Sequence, residues 1–344
     1  MRRARRRLFA TGTLIAALPF IVGSLAIAQT RRYAEKPTSI SILASPIEFF
    51  DNRDPSRIRF GQLEFRGGLV LASKSSTFGG LSAIHIEPDG ANFLSVTDKG
   101  SWLRGRIVYR AGRPSGIVGA EMAPLLGHDG KPLAMHGWYD AESLAKSDRQ
   151  FYVGIERVEK IVRFDIGRDR LMARGEPITV PADFKTFTRN RSLECLTIPP
   201  KGAPYAGALI AITERSLDAV GNLRSYIIKG NHVTRFAVKR SGEFDATDCA
   251  ILPPADLLLL ERRYSLASSL GMRIRRIPLS AIKPGVVVDG HPLIEADLAH
   301  QIDNMEVIAL HRNARGEIII TLVSDDDFSP IQRNLLLQFA VVGN

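Results

Sequence analysis

A unit in which a short polar segment precedes an apolar strand recurs five times, and it constrains the fold more than any other feature of the sequence. Each apolar strand ends on charged residues. Repeats of this length with several strands per unit are typical of β-propeller blades, because neighbouring blades must stack to bury both faces of each sheet. The polar segments carry Ser82, Glu142, Glu194, Asp248 and Glu306, at steps of 60, 52, 54 and 58 residues.

Short runs of Val, Ile, Leu and Phe lie between clusters of Gly, Pro, Asp and Asn along the rest of the sequence, as at 150–154, 207–212 and 256–260. No long stretch keeps the i, i+3, i+4, i+7 spacing of an amphipathic helix. We therefore predict an all-β fold, a β-propeller whose ring is closed by N- and C-terminal strands. Blades of about 52 residues give six blades, and five is the alternative count.

The sequence begins with five arginines among its first seven residues, followed by a long apolar run that ends in A-I-A at 26–28. This order predicts a cleaved signal peptide at 1–28, and R-R-L-F at 6–9 resembles the twin-arginine type. A membrane anchor is the alternative, since the run approaches the roughly 20 residues that span a bilayer. We expect a periplasmic or secreted protein without stable membrane insertion, with a linker at 29–56 and a single propeller domain at 57–344.

The formal net charge of +10 includes the five leader arginines, so the cleaved protein is only mildly basic. No stripe of Lys and Arg interleaved with aromatic residues occurs, and we expect no nucleic-acid partner. The two cysteines, Cys195 and Cys249, fall at equivalent places in neighbouring repeats. We expect two buried free thiols there, with one disulfide as the alternative.

Carboxylates recur at two places in the repeat, in the polar segment and at the end of the apolar strand. Because the first strand of each propeller blade lines the central channel, these side chains should converge on one axis. Carboxylates in such proximity repel each other. They tolerate it if a hard cation with oxygen ligands sits among them, if arginines pair with them, or if some are protonated. We predict Ca²⁺ or another divalent cation, with the ligands Asp98, Glu156, Glu194, Glu214, Asp248, Glu261, Asp325 and Asp326.

Two further carboxylates, Glu142 and Glu306, are the predicted catalytic residues. A positively charged residue follows the strand-end carboxylate in four units and is predicted to bind an anionic substrate. The alternative interpretation is structural, since a Glu-Arg pair in several blades can solve the same packing problem each time. The four cationic residues are Lys99, Arg157, Arg215 and Arg262.

Six segments, taken in order along the chain, resemble the phytase-like domain family, which is labelled for an esterase-like activity of phytase. The resemblance covers roughly residues 60–342 and implies a secreted β-propeller with a hydrolase activity on phosphate or other esters. The dense Asp-rich signature of calcium-dependent propeller phytases does not occur. The segments are 78–82, 95–100, 139–144, 257–262, 303–306 and 322–328.

These observations give three hypotheses for function. The first is an exported ester hydrolase, a phosphomonoesterase that acts on a small ester or phosphate substrate at the acidic mouth of the channel. The second is a propeller of the cell envelope that binds a ligand or a partner without chemistry. The third is a lactonase-like hydrolase that uses an axial divalent cation.

Overall fold

The computed structural model describes residues 36–188, 191–265 and 269–343. These residues fall within one compact unit that spans 33–344. The predicted signal peptide at 1–28 lies outside the described residues. Within the described ranges, no helix is both long enough and apolar enough to cross a bilayer.

The strands of the described chain form five sheets, which are the blades of a propeller. Blade 1 contains β1 (Thr38–Ser39), β5 (Leu81–Ile86), β6 (Asn92–Thr97), β7 (Ser101–Arg110) and β8 (Arg113–Pro124). Blade 2 contains β9 (Leu126–Gly127), β10 (Ala141–Ser147), β11 (Gln150–Ile155), β12 (Lys160–Asp165) and β13 (Arg174–Pro177). Blade 3 contains β14 (Leu193–Thr197), β15 (Leu209–Leu217), β16 (Leu223–Lys229), β17 (His232–Val238) and β21 (Val287–Val288).

Blade 4 contains β18 (Asp245–Leu252), β19 (Asp256–Ser265), β20 (Ser269–Pro278) and β22 (His291–Asp297). Blade 5 contains β2 (Leu43–Ile47), β3 (Arg59–Phe60), β4 (Leu63–Ala72), β23 (Met305–Arg312), β24 (Ile318–Ser324) and β25 (Asn334–Val341). One short helix, α1 (Ile166–Asp169), accompanies 3₁₀ turns at Leu133–His136, Glu156–Val158, Arg170–Met172, Ala182–Thr186 and Leu279–Ala281.

The first repeat strand of each blade lies at the centre of the ring. These inner strands, β5, β10, β14, β18 and β23, contact one another in that order, and β23 contacts β5 to complete the circle. The two ends of the described chain meet in blade 5, where β4 lies between β2 and β25 and pairs antiparallel with both. The predicted all-β propeller and its closure by N- and C-terminal strands are therefore confirmed.

Two details of the prediction need correction. The described residues form five blades, the alternative count, because the strands near residues 57–73 complete blade 5 and do not begin a sixth. The expected linker at 29–56 also contributes to the sheets, since β1 pairs with β8 and β2 pairs with β4. Long-range pairing of this kind leaves no local signal in the sequence.

The blades are held together by apolar clusters between neighbours. The run Leu257–Leu260 shows how the sequence produces this packing, because all four side chains are fully buried. Successive strand residues point to opposite faces, so Leu257 and Leu259 join a cluster with blade 3 while Leu258 and Leu260 join one with blade 5. A strand covered on both faces is apolar throughout.

The two cysteines form a disulfide between the inner strands of blades 3 and 4. The Cα atoms of Cys195 and Cys249 are 5.1 Å apart, within the range that a disulfide requires. The expectation of two free thiols is wrong, because the two cysteines lie on adjacent inner strands and face each other across the blade interface.

Candidate functional site

Each inner strand carries a β-bulge at the same position, and the bulges identify the equivalent residues of the five blades. A bulge inserts one extra residue into a strand and re-aims its side chain, often beside a functional site. The register shifts fall between Leu81 and Ala83 in β5 and at matching places in the other four inner strands. The residues at the five bulges are Ser82, Glu142, Glu194, Thr247 and Glu306.

The bulges shift the sequence alignment of blade 4 by one residue. Thr247, and not Asp248, is the equivalent of the three bulge glutamates. The Asp248 carboxylate accepts hydrogen bonds from the backbone N–H groups of Cys249, at 2.7 Å, and Ile308, at 2.9 Å. Asp248 therefore ties blade 4 to blade 5, and its predicted role as a metal ligand is replaced by a structural one.

The second layer of the site follows from the same pairing. The residue opposite the start of each bulge lies on the next strand, at Thr97, Ile155, Thr213, Glu261 and Ser324. The residue after each of these completes the layer. The five residues are Asp98, Glu156, Glu214, Arg262 and Asp325.

Arg262 thus occupies the position that a carboxylate holds in the other four blades. The preceding residue, Glu261, has no exposed surface and is enclosed by two arginines. Its carboxylate accepts hydrogen bonds from Arg273 at 2.8 Å and from Arg275 at 2.8 and 2.6 Å. Glu261 is a buried ion-pair partner, which corrects its prediction as a metal ligand.

Three carboxylates of blades 2 and 3 come together at what we call the acidic mouth, the channel end bounded by the two layers. One oxygen from each of Glu156, Glu194 and Glu214 lies within 4.8 Å of the other two. Glu156 also accepts a hydrogen bond of 2.6 Å from the N–H of Ser192, which fixes one of its oxygens. An all-oxygen, anionic donor set of this kind fits a hard cation such as Ca²⁺, Mg²⁺ or Mn²⁺.

Burial and mutual repulsion raise the pKa values of the carboxyls around the mouth. Burial is the largest cause for Glu142 and Glu194, and their carboxylate neighbours raise both pKa values further, well above the usual range. The same causes raise the pKa of Glu156 to about 8 and that of Asp325 to about 9. The pKa of Glu306 is raised to about 7 by burial, against the lowering effect of Arg262. The mouth therefore takes up positive charge, as protons or as a cation.

Arg262 is the one guanidinium within the two layers. It lies 2.5 Å from Glu306 and 3.4 Å from Glu214, and it donates a further hydrogen bond to the side chain of Asn304. Although burial opposes its charge, these two carboxylates raise the pKa of Arg262. Its donors are used to hold blades 3 and 5 together at the mouth, so Arg262 acts on the site mainly as a fixed positive charge.

The other predicted cationic residues lie one position beyond the second layer. The Lys99 ammonium group lies over the ring of Phe328. Arg157 lies 4.6 Å from the ring centre of Tyr139 and donates a hydrogen bond to its hydroxyl. Arg215 forms a two-point ion pair with Asp245, which occupies its guanidinium.

The loop after β24 closes the mouth between blades 5 and 1. Asp326 accepts hydrogen bonds from the N–H groups of Gly80, at 3.3 Å, and Phe328, at 3.1 Å. At Gly80, φ is +63° and a side chain would collide with Asp98 and Phe328, so this approach requires glycine. Asp326, predicted as a ligand, organises this loop.

Sequence reasoning missed several residues at or beside the mouth. Two of them are Asp140 and Glu159, whose pKa values are raised by burial. The negative charge of Asp140 also raises the pKa values of neighbouring carboxyls, those of Asp98, Glu142 and Glu156. Asp140 stands directly before a repeat strand and could have been found there.

The corrected register of blade 4 also adds a residue to the outer cationic series. Arg263 follows Arg262 in the same way that Lys99, Arg157 and Arg215 follow the second-layer carboxylates. The Arg263 guanidinium lies 4.9 Å from the ring centre of Phe244.

Comparisons with known proteins were made on sequence and on structure. A family model described as phytase-like, esterase-like activity of phytase, matches residues 76–328. No curated protein sequence matches the chain. The PQQ-bound aldose sugar dehydrogenase of Streptomyces coelicolor aligns at 13% identity over 82% of this chain and 99% of its own, with a TM-score of 0.43. A chain of the S. cerevisiae complex of Dbp5 with Nup159, Gle1, IP6 and ADP aligns at 8% identity over 89% of this chain and 99% of its own, with a TM-score of 0.38.

Proposed function

The chain belongs to the phytase-like family, described by the esterase-like activity of phytase, and from this membership we propose that it hydrolyses phosphomonoesters at the acidic mouth. The predicted leader would deliver the protein to the periplasm or the exterior. The Cys195–Cys249 disulfide supports that location, since such bonds persist in oxidising compartments.

The observation that carries the proposal is the convergence of Glu156, Glu194 and Glu214 within 4.8 Å. Burial raises the pKa values of all three and their carboxylate neighbours raise them further, while Arg262 opposes the shift at Glu214. These residues would hold one divalent cation. When bound, such a cation polarises a phosphoryl oxygen and lowers the pKa of water.

The remaining carboxyls have the properties that proton transfer requires. Glu306, with a pKa of about 7, is divided between its two protonation states at neutral pH and is suited to accept a proton from the attacking water. Burial raises the pKa of Glu142 well above the usual range, which suits this carboxyl to donate a proton to the leaving group. A bond forms between the water oxygen and phosphorus as the ester P–O bond breaks. Glu306 takes the water proton and the alkoxide takes the proton of Glu142.

Three cationic residues assist an anionic substrate at the mouth. Arg262 keeps Glu306 and Glu214 in place and adds positive charge beside them. Lys99 and Arg157, each held against an aromatic ring, stand at the edge of the mouth and would attract a phosphate group.

The test uses purified protein stripped with EDTA and assayed with p-nitrophenyl phosphate, with and without Ca²⁺, Mg²⁺ or Mn²⁺. Loss of a general base typically costs about 10²- to 10⁴-fold in kcat, so Glu306→Gln should fall by that factor. Glu194→Gln should weaken activation by the cation. The matched control Glu176→Gln, whose side chain is 65% exposed and pairs with Arg163, should retain full activity.

Activity that persists in EDTA and in Glu306→Gln would refute this proposal. Hydrolysis of lactones but not of aryl phosphates would select the lactonase-like hypothesis. If no ester is hydrolysed but divalent cations still raise the unfolding midpoint, the propeller is a binding module.

A further inference from the structure

A second cavity lies at the opposite end of the propeller from the acidic mouth. We call it the far-end cleft. It encloses about 480 Å³ between blades 5 and 1, within the usual size range of ligand pockets. Its walls come from the turns that follow β5, β7 and β23 and from the outer strands β4 and β25. Because β5 rises about 3.3 Å per residue from the mouth, the two sites are roughly 20 Å apart.

Two polar atoms of the cleft residues are buried and have no hydrogen-bond partner among the described residues. They are Nε of Arg66 and Nδ1 of His311. The whole His311 side chain is 93% buried, and Gly90 packs so closely on its ring that a Cβ there would lie 2.6 Å from it. Unpartnered buried polar groups are rare in native proteins, and both residues that carry them line this cleft.

The acidic groups of the cleft are already satisfied by neighbouring residues. Arg66 pairs with Glu64 at 2.7 Å and with Glu317 at 2.5 Å. Asp89 accepts two backbone N–H groups of its own turn at 2.9 Å each. These carboxylates therefore offer little to a ligand that carries positive charge.

The arginines at the rim differ from these carboxylates, because one of them is not compensated by a neighbouring group among the described residues. No ion pair or side-chain hydrogen bond joins the Arg315 guanidinium to any other residue in the described ranges, and its side chain is exposed. Arg113, also at the rim, donates to the backbone carbonyl of Glu48 at 2.8 Å and lies 3.5 Å from the Glu48 carboxylate, so its charge is partly compensated. Burial lowers the pKa of His311, so this ring is neutral and leaves anion attraction to the arginines.

We propose that the far-end cleft binds a small organic carboxylate, with the anion at Arg315 and the apolar body against Phe65 and Ile58. Phe65 and Ile58 line the same cavity, and they give the site a preference for an anion that has an apolar part. Arg66 and His311 supply polar partners on the wall. This site is separate from the one proposed for ester hydrolysis.

Isothermal titration of the full-length protein with phenylacetate tests the proposal. Phenylacetate should bind at one site, whereas uncharged phenylacetamide and inorganic phosphate should bind much more weakly. Arg315→Gln should weaken phenylacetate binding by about three- to tenfold, the effect of losing one charge-assisted contact at a partly exposed site. The control is Arg312→Gln, at the end of β23 just before this turn. Arg312 donates a hydrogen bond to the Gly316 carbonyl, and the variant should bind normally.

Equal binding of phenylacetate and phenylacetamide would overturn the proposal, because the anion would then not be recognised. Equal binding of phosphate would overturn the assignment of an organic ligand. Binding that is lost in Glu194→Gln but unchanged in Arg315→Gln would place the ligand at the acidic mouth instead. Full activity of Arg315→Gln toward p-nitrophenyl phosphate keeps the two sites distinguishable.

Discussion

Replacing Glu261 with glutamine tests the one-residue shift that separates Glu261 from Arg262. In the structure Glu261 is fully buried and pairs with Arg273 and Arg275, and it is not one of the three carboxylates proposed to hold a cation. The substitution keeps the shape of the side chain but removes its charge. If the register is right, Glu261→Gln should unfold more easily and should still respond to a divalent cation.

The size of the effect follows from the partners that remain. Removing one member of a buried ion pair typically costs about 3–5 kcal/mol, because the other charge stays buried without compensation. Arg275 retains Asp289 at 2.7 Å, and Arg273 retains Glu295 at 3.7 Å. We therefore expect the lower end of that range, about 3 kcal/mol.

Urea unfolding followed by tryptophan fluorescence measures the free energy of unfolding, since Trp102 is fully buried between blades 1 and 2. Glu295→Gln is the matched control. It removes a 54% exposed carboxylate from the same Arg273 and should cost less than about 1 kcal/mol. A Glu261→Gln variant with normal stability that no longer gains stability from Ca²⁺ would refute the register argument.

Two further predictions concern stability. The first is removal of the Cys195–Cys249 disulfide, by reduction or by the double variant Cys195→Ser/Cys249→Ser. Because the two cysteines are 54 residues apart, the free energy of unfolding should fall by up to about 4 kcal/mol. The fall is measured as a lower urea midpoint, and an unchanged midpoint contradicts this prediction. The His85 imidazole, whose Nε2 lies 3.7 Å from the carboxylate, and then the hydrogen bonds donated by Lys146 lower the pKa of Glu87 to about 2 from 4.5. Its contribution to stability is therefore present above pH 4.5 and is lost as the pH falls from 4.5 to 2. Glu87→Gln should therefore show a smaller loss of stability over that interval in acid-unfolding curves, and a curve identical to that of the native protein would count against the assignment.

The fold class could be predicted because it depends on patterns that are local in the sequence. Apolar runs such as Leu257–Leu260, bounded by turn residues, recur at blade spacing and need no knowledge of distant contacts. The number of blades depends on a contact between chain regions more than 250 residues apart, the pairing of β4 with β25. Local patterns contain nothing about such a pairing, so the chain length divided by the blade length gives one blade too many.

The site was predicted only in outline for a different physical reason. The acidic repeat correctly indicated that Glu142, Glu194 and Glu306 occupy equivalent positions. In blade 4 two adjacent residues, Thr247 and Asp248, are polar. By residue type, Asp248 is the better match to the bulge glutamates of the other blades. A shift of one residue turns a strand side chain to the other face, and only the bulge in β18 decides between them.

The break in symmetry at blade 4 explains why the cation site should lie on one side of the mouth. The two layers contain seven carboxylates, and the positive charge of Arg262 enters from blade 4. Arg262 pairs with Glu214 and Glu306, one carboxylate from each of the two adjacent blades, so it partly compensates that side of the ring. Arg262 forms no ion pair with Glu156 or Glu194 in the described part of the chain, and both carboxyls keep raised pKa values. A carboxylate in place of Arg262 would spread the negative charge around the whole ring, whereas the arginine leaves the excess between blades 2 and 3. The position of the positive residue, more than the number of acids, therefore favours a single cation at Glu156, Glu194 and Glu214.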